Sequence, residues 1–500
     1  MQVVLAGYSL DHEFVEDMRQ GRFDPSSPVS PETLSAAYAR ISRYPEPVTE
    51  LRAQARRDVT SSRKSNRIIV FGMGHHSVAE HVQINFDILG VSRLALEALE
   101  EARLCSYTEK SQRYITLEGD FVVPAEFEAG DRQVLERIAE LQVGLYKEAL
   151  PRLHEHHRSL HPEMEGSKRD RGTVEGWAKE DARYALCLAT EAQLGFSANA
   201  RNLEHVIRKL RHHRLAEVRE LSARLYEEAA KVVPSLIILS DPEKFRETFG
   251  TEVSDDFLRH GASDLRREAE EILATAAAAD GGAPESGDVT LVDHSPDPDV
   301  EVCAALMFSA SDRSYGECLA TARGLREAGD DRFDGFVLGS MRRLTEFDPP
   351  PRAFETALFT FEMELSASAF AQLKRHRIST QITQPYDPAL PCTFPDSVVE
   401  TGLRDAFQDV FTRSAEAYAQ VGGPAAEYLL TNAHRRRVLM TCNLREIYHL
   451  ARIRMDAHAQ WDIRRLSADA VKLVKQVAPV SARLATGKDT YRALHAEVFE

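Results

Sequence analysis

The stretch LKRHRISTQITQPYDP, Leu373 to Pro388, sets Arg375, His376 and Arg377 side by side. Two guanidiniums beside an imidazole make a fork of N–H donors suited to a phosphate, although an isolated triplet of this kind is usually a solvated basic turn. Gln372 lies one helical turn earlier, so its amide and the triplet can face one pocket. A second run, YTEKSQRY, places Glu109, Ser111 and Arg113 at alternate positions. In an extended segment these share one side, so Ser111 and Arg113 can grip a phosphate together. Glu109 would repel that phosphate and is better suited to accept from a hydroxyl or an N–H. Downstream, Arg445, His449 and Arg452 follow an i, i+4, i+7 stripe that a solvated helix face would also show. His75, His76, Glu80 and His81 are metal-ligand types, but their spacing fits no standard zinc site, and no metal is expected. Cys392 in LPCTF reads as a small apolar residue.

These residues need elements to hold them, and the chain supplies long helical patterns with short strands. RQVLERIAELQVGLYKEALPRLHEHH and LREIYHLARIRMDAHAQWDIRRLSADAVKLVKQV carry helical apolar spacing, and DVTLVDHSP reads as a strand. Five hundred residues exceed one core, so at least two domains are expected. ATAAAADGGAPESGD, residues 274–288, has the composition of a connector, which predicts domains at 1–273 and 289–500. The apolar share is 43%, and no apolar run nears the roughly 18 to 20 residues of a membrane helix, which predicts a soluble chain without a membrane partner. The start, MQVVLAGYSLDHEF, shows no secretory signal, and the six cysteines form no CxxC pair, so a reducing cytoplasm is expected. A formal charge of −16 argues against broad nucleic-acid binding but leaves room for a local basic pocket.

The two halves share an order of segments, the mark of an internal duplication. HHSVAEHVQINFDILGVSRLALEALEEARLCSYTEKSQRY, then EDARYALCLA, then NARNLEHVIRKL in the first half correspond to PPRAFETALFTFEMELSASAFAQLKRHRISTQITQPYD, HRRRVLMTC and NLREIYHLARIRMDAHAQWDIR in the second.

On this ordered set the chain resembles the flavin-dependent thymidylate synthases. That family carries a His-x-Thr/Ser-x-x-Glu-His element, an Arg-His-Arg triplet, a Ser-x-Arg-Tyr ending, an Asn-Ala-Arg and an Ala-Gln-Trp-Glu/Asp helix. The first half keeps His75, Ser77, Glu80 and His81, then Glu109, Ser111, Gln112, Arg113 and Tyr114, then Arg183 and Asn199-Ala200-Arg201, but has Glu101 and Ala102 where the triplet should begin. The second keeps Gln372, the triplet, Asn443, Arg445, His449, Arg454 and Ala459-Gln460-Trp461, but has Pro385-Tyr386-Asp387 in place of Ser-x-Arg.

The resemblance implies an α+β fold, two tandem helix-dominant copies with a small sheet in each. It also implies an enzyme that uses FAD, NADPH and methylenetetrahydrofolate to methylate dUMP to dTMP. Family active sites combine residues of different subunits, one giving the glutamate, Ser-x-Arg and a downstream arginine, another the glutamine, triplet and late arginine. Carried over, nucleotide binding falls to Glu109, Ser111, Gln112, Arg113 and Arg183 from the first half and to Gln372, Arg375 and Arg454 from the second. Cofactor contact falls to Ser77, Glu109, Asn199, Arg201, Arg375, His376, Arg377, Asn443, Arg445 and His449. Arg454 is the expected catalytic group, and no cysteine nucleophile is implied. The losses are complementary, so the copies are expected to have specialised as two sides of a composite site, in a homodimer equivalent to the family's tetramer. A related pyrimidine nucleotide as substrate, or a silent nucleotide-binding paralogue, are the alternatives.

Overall fold

A computed structural model describes residues 1–22, 29–253, 262–275 and 287–500; most of the expected connector at 274–288 lies outside them. Its strands are β1 (Gln2–Tyr8), β2 (Gln83–Ser92), β3 (Cys105–Glu109), β4 (Glu191–Asn199), β5 (Val289–His294), β6 (Leu358–Ser366), β7 (Ser379–Thr383) and β8 (Arg435–Asn443). The helices that matter for the site are α1 (Arg93–Glu100), α2 (Ala129–Leu160), α3 (Lys168–Ala182), α4 (Ala200–Arg211) and α5 (Ala216–Ala230) in the first half. In the second they are α6 (Ala367–Leu373), α7 (Arg404–Val421), α8 (Leu444–Arg454) and α9 (Trp461–Val477).

The strands form two antiparallel four-stranded sheets with the same order, β1-β2-β4-β3 and β5-β6-β8-β7. Alternation builds each sheet's inner face: Ile84, Phe86 and Ile88 of β2, and Phe359, Phe361, Met363 and Leu365 of β6, are buried. In β2 the register shifts between Leu89 and Val91, where Gly90 takes a φ of 65° that an L side chain would resist, and the bulge turns Val91 and Ser92 inward. Helices follow the strands through side-chain caps. Ser92 and Ser366 accept the backbone N–H of Ala95 and Ala369 at 3.0 Å, starting α1 and α6. Asn199 and Asn443 do the same for α4 and α8 at 2.9 Å, through Asn202 and Glu446. Apolar residues at helical spacing, such as Ile463, Leu466, Ala470, Val471 and Val474 of α9, complete the second core.

The chain divides into two compact units that are not contiguous in sequence. One comprises Met1–Val143, Cys187–Ala279 and Glu416–Leu429, the other Gly144–Leu186, Asp280–Ala415 and Leu430–Glu500. The stretch from the middle of α2 to just before β4 thus belongs to the unit built on the second sheet. The end of α7 and the residues after it belong to the unit built on the first. Copy and compact unit do not coincide. No helix among the described residues is long and apolar enough to cross a membrane.

Candidate functional site

In the second unit the helix carrying Gln372 stops at Leu373, and the triplet lies in the turn that leads into β7. His376 is buried there, while Arg375 is half-buried and Arg377 exposed. Arg454, the last residue of α8, reaches this turn. Its Nε donates to His376 Nε2 at 3.1 Å, one terminal nitrogen to Gln372 Oε1 at 2.9 Å and the other to the Gln372 carbonyl at 3.0 Å. Because Nε2 accepts, the ring proton sits on Nδ1, which donates to Glu446 Oε1 at 2.9 Å. Burial, then the Arg454 charge, push the imidazole down to about 3, so His376 is a neutral ring locked in one tautomer. Burial raises the Glu446 carboxyl, and the neighbouring His449 opposes that rise. The His449 ring lies 5.4 Å from that of His376. Glu446 escaped the sequence reading; its signal was the one-turn spacing to His449 on the helix that ends in Arg454.

In the stripe on α8, His449 is exposed, while the two arginines are half-buried and tied to neighbouring backbone. Arg445 donates to the Pro350 carbonyl and pairs with Glu355, both at 2.9 Å, and Arg452 donates to the carbonyls of Phe347 and Asp348. The first unit repeats one of these ties, since Arg201 pairs with Glu80 of the His75–His81 element. Ser77 is exposed in that element, and Asn199 and Asn443 occupy the caps described above.

The second sequence motif departs from its extended reading. β3 ends at Glu109, and Ser111 to Tyr114 form a turn in which the Arg113 N–H donates to Ser111 Oγ at 3.1 Å. A serine hydroxyl can replace a strand partner with such a local bond, which breaks the two-residue alternation. Glu109, Ser111 and Arg113 are half-buried and Gln112 is buried, all in the first unit. Arg183 belongs to the other unit. It follows α3 in the second unit, where it is buried and its carbonyl accepts Asn432 Nδ2 at 2.9 Å. One residue of the first copy therefore lies in the unit that holds Gln372, the triplet and Arg454.

Among the described residues, the His, Cys, Asp and Glu side chains whose ligand atoms converge are His376, Glu446 and His449, within 4.8 Å of one another. Both His376 nitrogens are already bonded, and a metal at Nδ1 would move the proton to Nε2, against the Arg454 donor. Cys392 is no thiolate, because burial pushes its thiol up to about 12.

The profile of the family described as thymidylate synthase complementing protein matches residues 27–235 and again 290–480. The chain belongs to the flavin-dependent thymidylate synthase family. A flavin-dependent thymidylate synthase of Geobacter sulfurreducens is 31% identical over 208 residues, which are 39% of this chain and 85% of that protein. A UPF0159 protein of Thermoplasma acidophilum is 26% identical over 502 residues, 91% of this chain and 95% of its own, so both chains have the double length. Among solved structures, a UMP/dUMP methylase of Streptomyces cacaoi bound with 5-Br dUMP is 20% identical, with a TM-score of 0.34, over 51% of this chain and 97% of its own. This chain carries two regions that match the family, in a helix-dominant α+β fold with one small four-stranded sheet for each.

Counting from the cap serines and asparagines, the first unit holds Ala98, Glu101, Ala102 and Leu210 where the second holds Gln372, Arg375, His376 and Arg454. Glu101 there pairs with Lys209. The first triplet position is acidic in one copy and basic in the other, while the third is an arginine in both, Arg103 and Arg377.

Proposed function

We propose that the chain is an FAD-dependent thymidylate synthase that methylates dUMP to dTMP, with methylenetetrahydrofolate as one-carbon donor and NADPH as reductant. The observation that carries this reading is the Arg454 guanidinium, held by three hydrogen bonds to Gln372 and His376. A cation fixed in advance needs no reorganisation to stabilise negative charge developing on a pyrimidine. His376 contributes by staying neutral, since a second cation on that ring would repel Arg454.

The donor set suits FAD, because Arg375 and Arg377 beside the half-buried Gln372 offer guanidinium forks to a diphosphate. When bound, FAD supplies the hydride of the reductive step. Ser77, Glu109, Asn199, Arg201, His376, Asn443, Arg445 and His449 are its further proposed contacts, with Arg201 and Arg445 also bracing their loops through Glu80 and Glu355. Ser111, Gln112, Arg113 and Arg183 hold the nucleotide together with Gln372, Arg375 and Arg454. In this reading the two copies are functional complements, at work in a cytoplasmic homodimer.

The test is dTMP formation from dUMP, methylenetetrahydrofolate and NADPH by the FAD-loaded protein. Arg113→Ala and Arg454→Ala, one in each copy, are both expected to abolish it. An unchanged rate in either variant contradicts the complementary assignment.

A further inference from the structure

Arg183 owes its place in the second unit to a set of buried polar contacts on either side of it. The residue two before it, Asp181, accepts Trp461 Nε1 at 2.9 Å and Ser397 Oγ at 2.6 Å, and lies 2.9 Å from His157 Nε2. The residue after it, Tyr184, is fully buried, donates to Asp462 Oδ2 at 3.1 Å and accepts Gln460 Nε2 at 2.8 Å. Its ring stacks on Trp461 with centroids 5.6 Å apart. Gln460, Trp461 and Asp462 form the cap and first turn of α9. Asp462 Oδ2 also accepts Ser366 Oγ at 2.6 Å, and Ser366 is the cap of α6, the helix that carries Gln372 and leads into the triplet. A continuous chain of side chains, Tyr184 to Asp462 to Ser366, thus ties the arginine turn of the first copy to the triplet helix of the second.

The first unit contains the same device. Tyr428 donates to Glu217 Oε2 at 2.7 Å, and Glu217 accepts Ser92 Oγ at 2.6 Å, Ser92 being the cap of α1. The residue before Tyr428 is not an arginine but Glu427, which pairs with Arg214 at 2.8 Å. Both units keep the anchor, and only the second pairs it with the cationic set.

We infer that Tyr184 and Asp462 are positioning residues for the nucleotide, setting Arg183 against the Gln372, Arg375 and Arg454 group without touching the ligand. The inference rests on the proposed function, since it takes Arg183 to be a nucleotide-binding residue. Loss of one hydrogen bond that orients a charged contact displaces the guanidinium and weakens binding with little effect on the bound complex.

The first unit supplies the internal control. Tyr184→Phe and Asp462→Asn should raise the Kd and KM for dUMP about tenfold, with FAD retention intact and kcat within about twofold. Tyr428→Phe removes the matching hydroxyl in the first unit and should lower the unfolding midpoint as much as Tyr184→Phe while leaving the dUMP Kd unchanged. Equal effects of Tyr184→Phe and Tyr428→Phe on dUMP affinity, or no effect of either, would overturn positioning and leave a scaffold role. Arg183→Ala separates the two claims. If the parent binds dUMP and Arg183→Ala does not, but Tyr184→Phe and Asp462→Asn bind normally, the positioning inference alone falls. If Arg183→Ala binds dUMP normally, or the parent binds none, the nucleotide assignment falls and takes the inference with it.

Discussion

His376 shows how far one side chain depends on its surroundings. As one letter of an Arg-His-Arg triplet it looks like a third cation, yet its Nε2 accepts from Arg454 and burial keeps the ring neutral. The sign of its pH effect follows from that. Its pKa falls from 6.5 to about 3 on folding, so the unfolded chain takes up the proton first. Its contribution is complete above about pH 6.5 and is lost as the pH falls toward 3. His376→Gln should therefore lose about 2 kcal/mol less stability than the parent between pH 7 and pH 5, read by urea unfolding at both values. Other histidines, the half-buried His213 and the buried His434 among them, share the sign, so it is the difference between variant and parent that reports His376. An equal loss in both proteins would place the proton elsewhere. The triplet and Gln372 were legible in sequence because they are adjacent or one turn apart. The Arg454 to His376 bond was not, because it joins residues 78 apart.

At the scale of elements, the cap serines do two jobs. Ser366 accepts from Ala369 to start α6 and donates to the buried Asp462. Ser366→Ala removes a cap and leaves a buried carboxylate short of a donor, which should cost roughly 2 to 4 kcal/mol in chemical unfolding. A loss under about 0.5 kcal/mol would mean that Tyr184 and Arg465 hold Asp462 without Ser366. The strand in DVTLVDHSP was legible, since Val289–His294 forms β5, and α8 and α9 were legible from their spacing. The end of β3 was not, since it depends on a local bond from the Arg113 N–H to the Ser111 hydroxyl that an alternating polar pattern conceals. Asp462 closes the Ala-Gln-Trp-Glu/Asp motif, but its buried partners were not legible, and Tyr184, Tyr428 and Glu217 passed unnoticed for a similar reason. Each is an ordinary residue in its own segment, and only the comparison of the two copies, a tyrosine before β4 or β8 and an acid at the start of α9 or α5, could have marked them.

At the scale of the molecule, the duplication was legible from segment order, and the matching sheet orders and the paired family match bear out the two-copy fold. The exchange of segments was not, because no local pattern says that Gly144–Leu186 belongs with the second sheet. Its consequence is testable. Fragments 1–273 and 289–500, expressed singly, each lack a stretch that completes a compact unit, and each should show low protection in amide hydrogen exchange. Co-expression should restore protection. A fragment 289–500 that folds stably alone would show that Asp181 and Tyr184 are dispensable to the second unit. On the proposed function, the retained residues of both copies serve one flavin and one pyrimidine nucleotide. The most direct measurement is the visible absorbance of the FAD-supplemented, desalted protein before and after dUMP. A retained flavin band that shifts on adding dUMP is the predicted result. A protein that keeps no flavin and shows no response to dUMP would contradict the account, and the motifs would then record ancestry without chemistry.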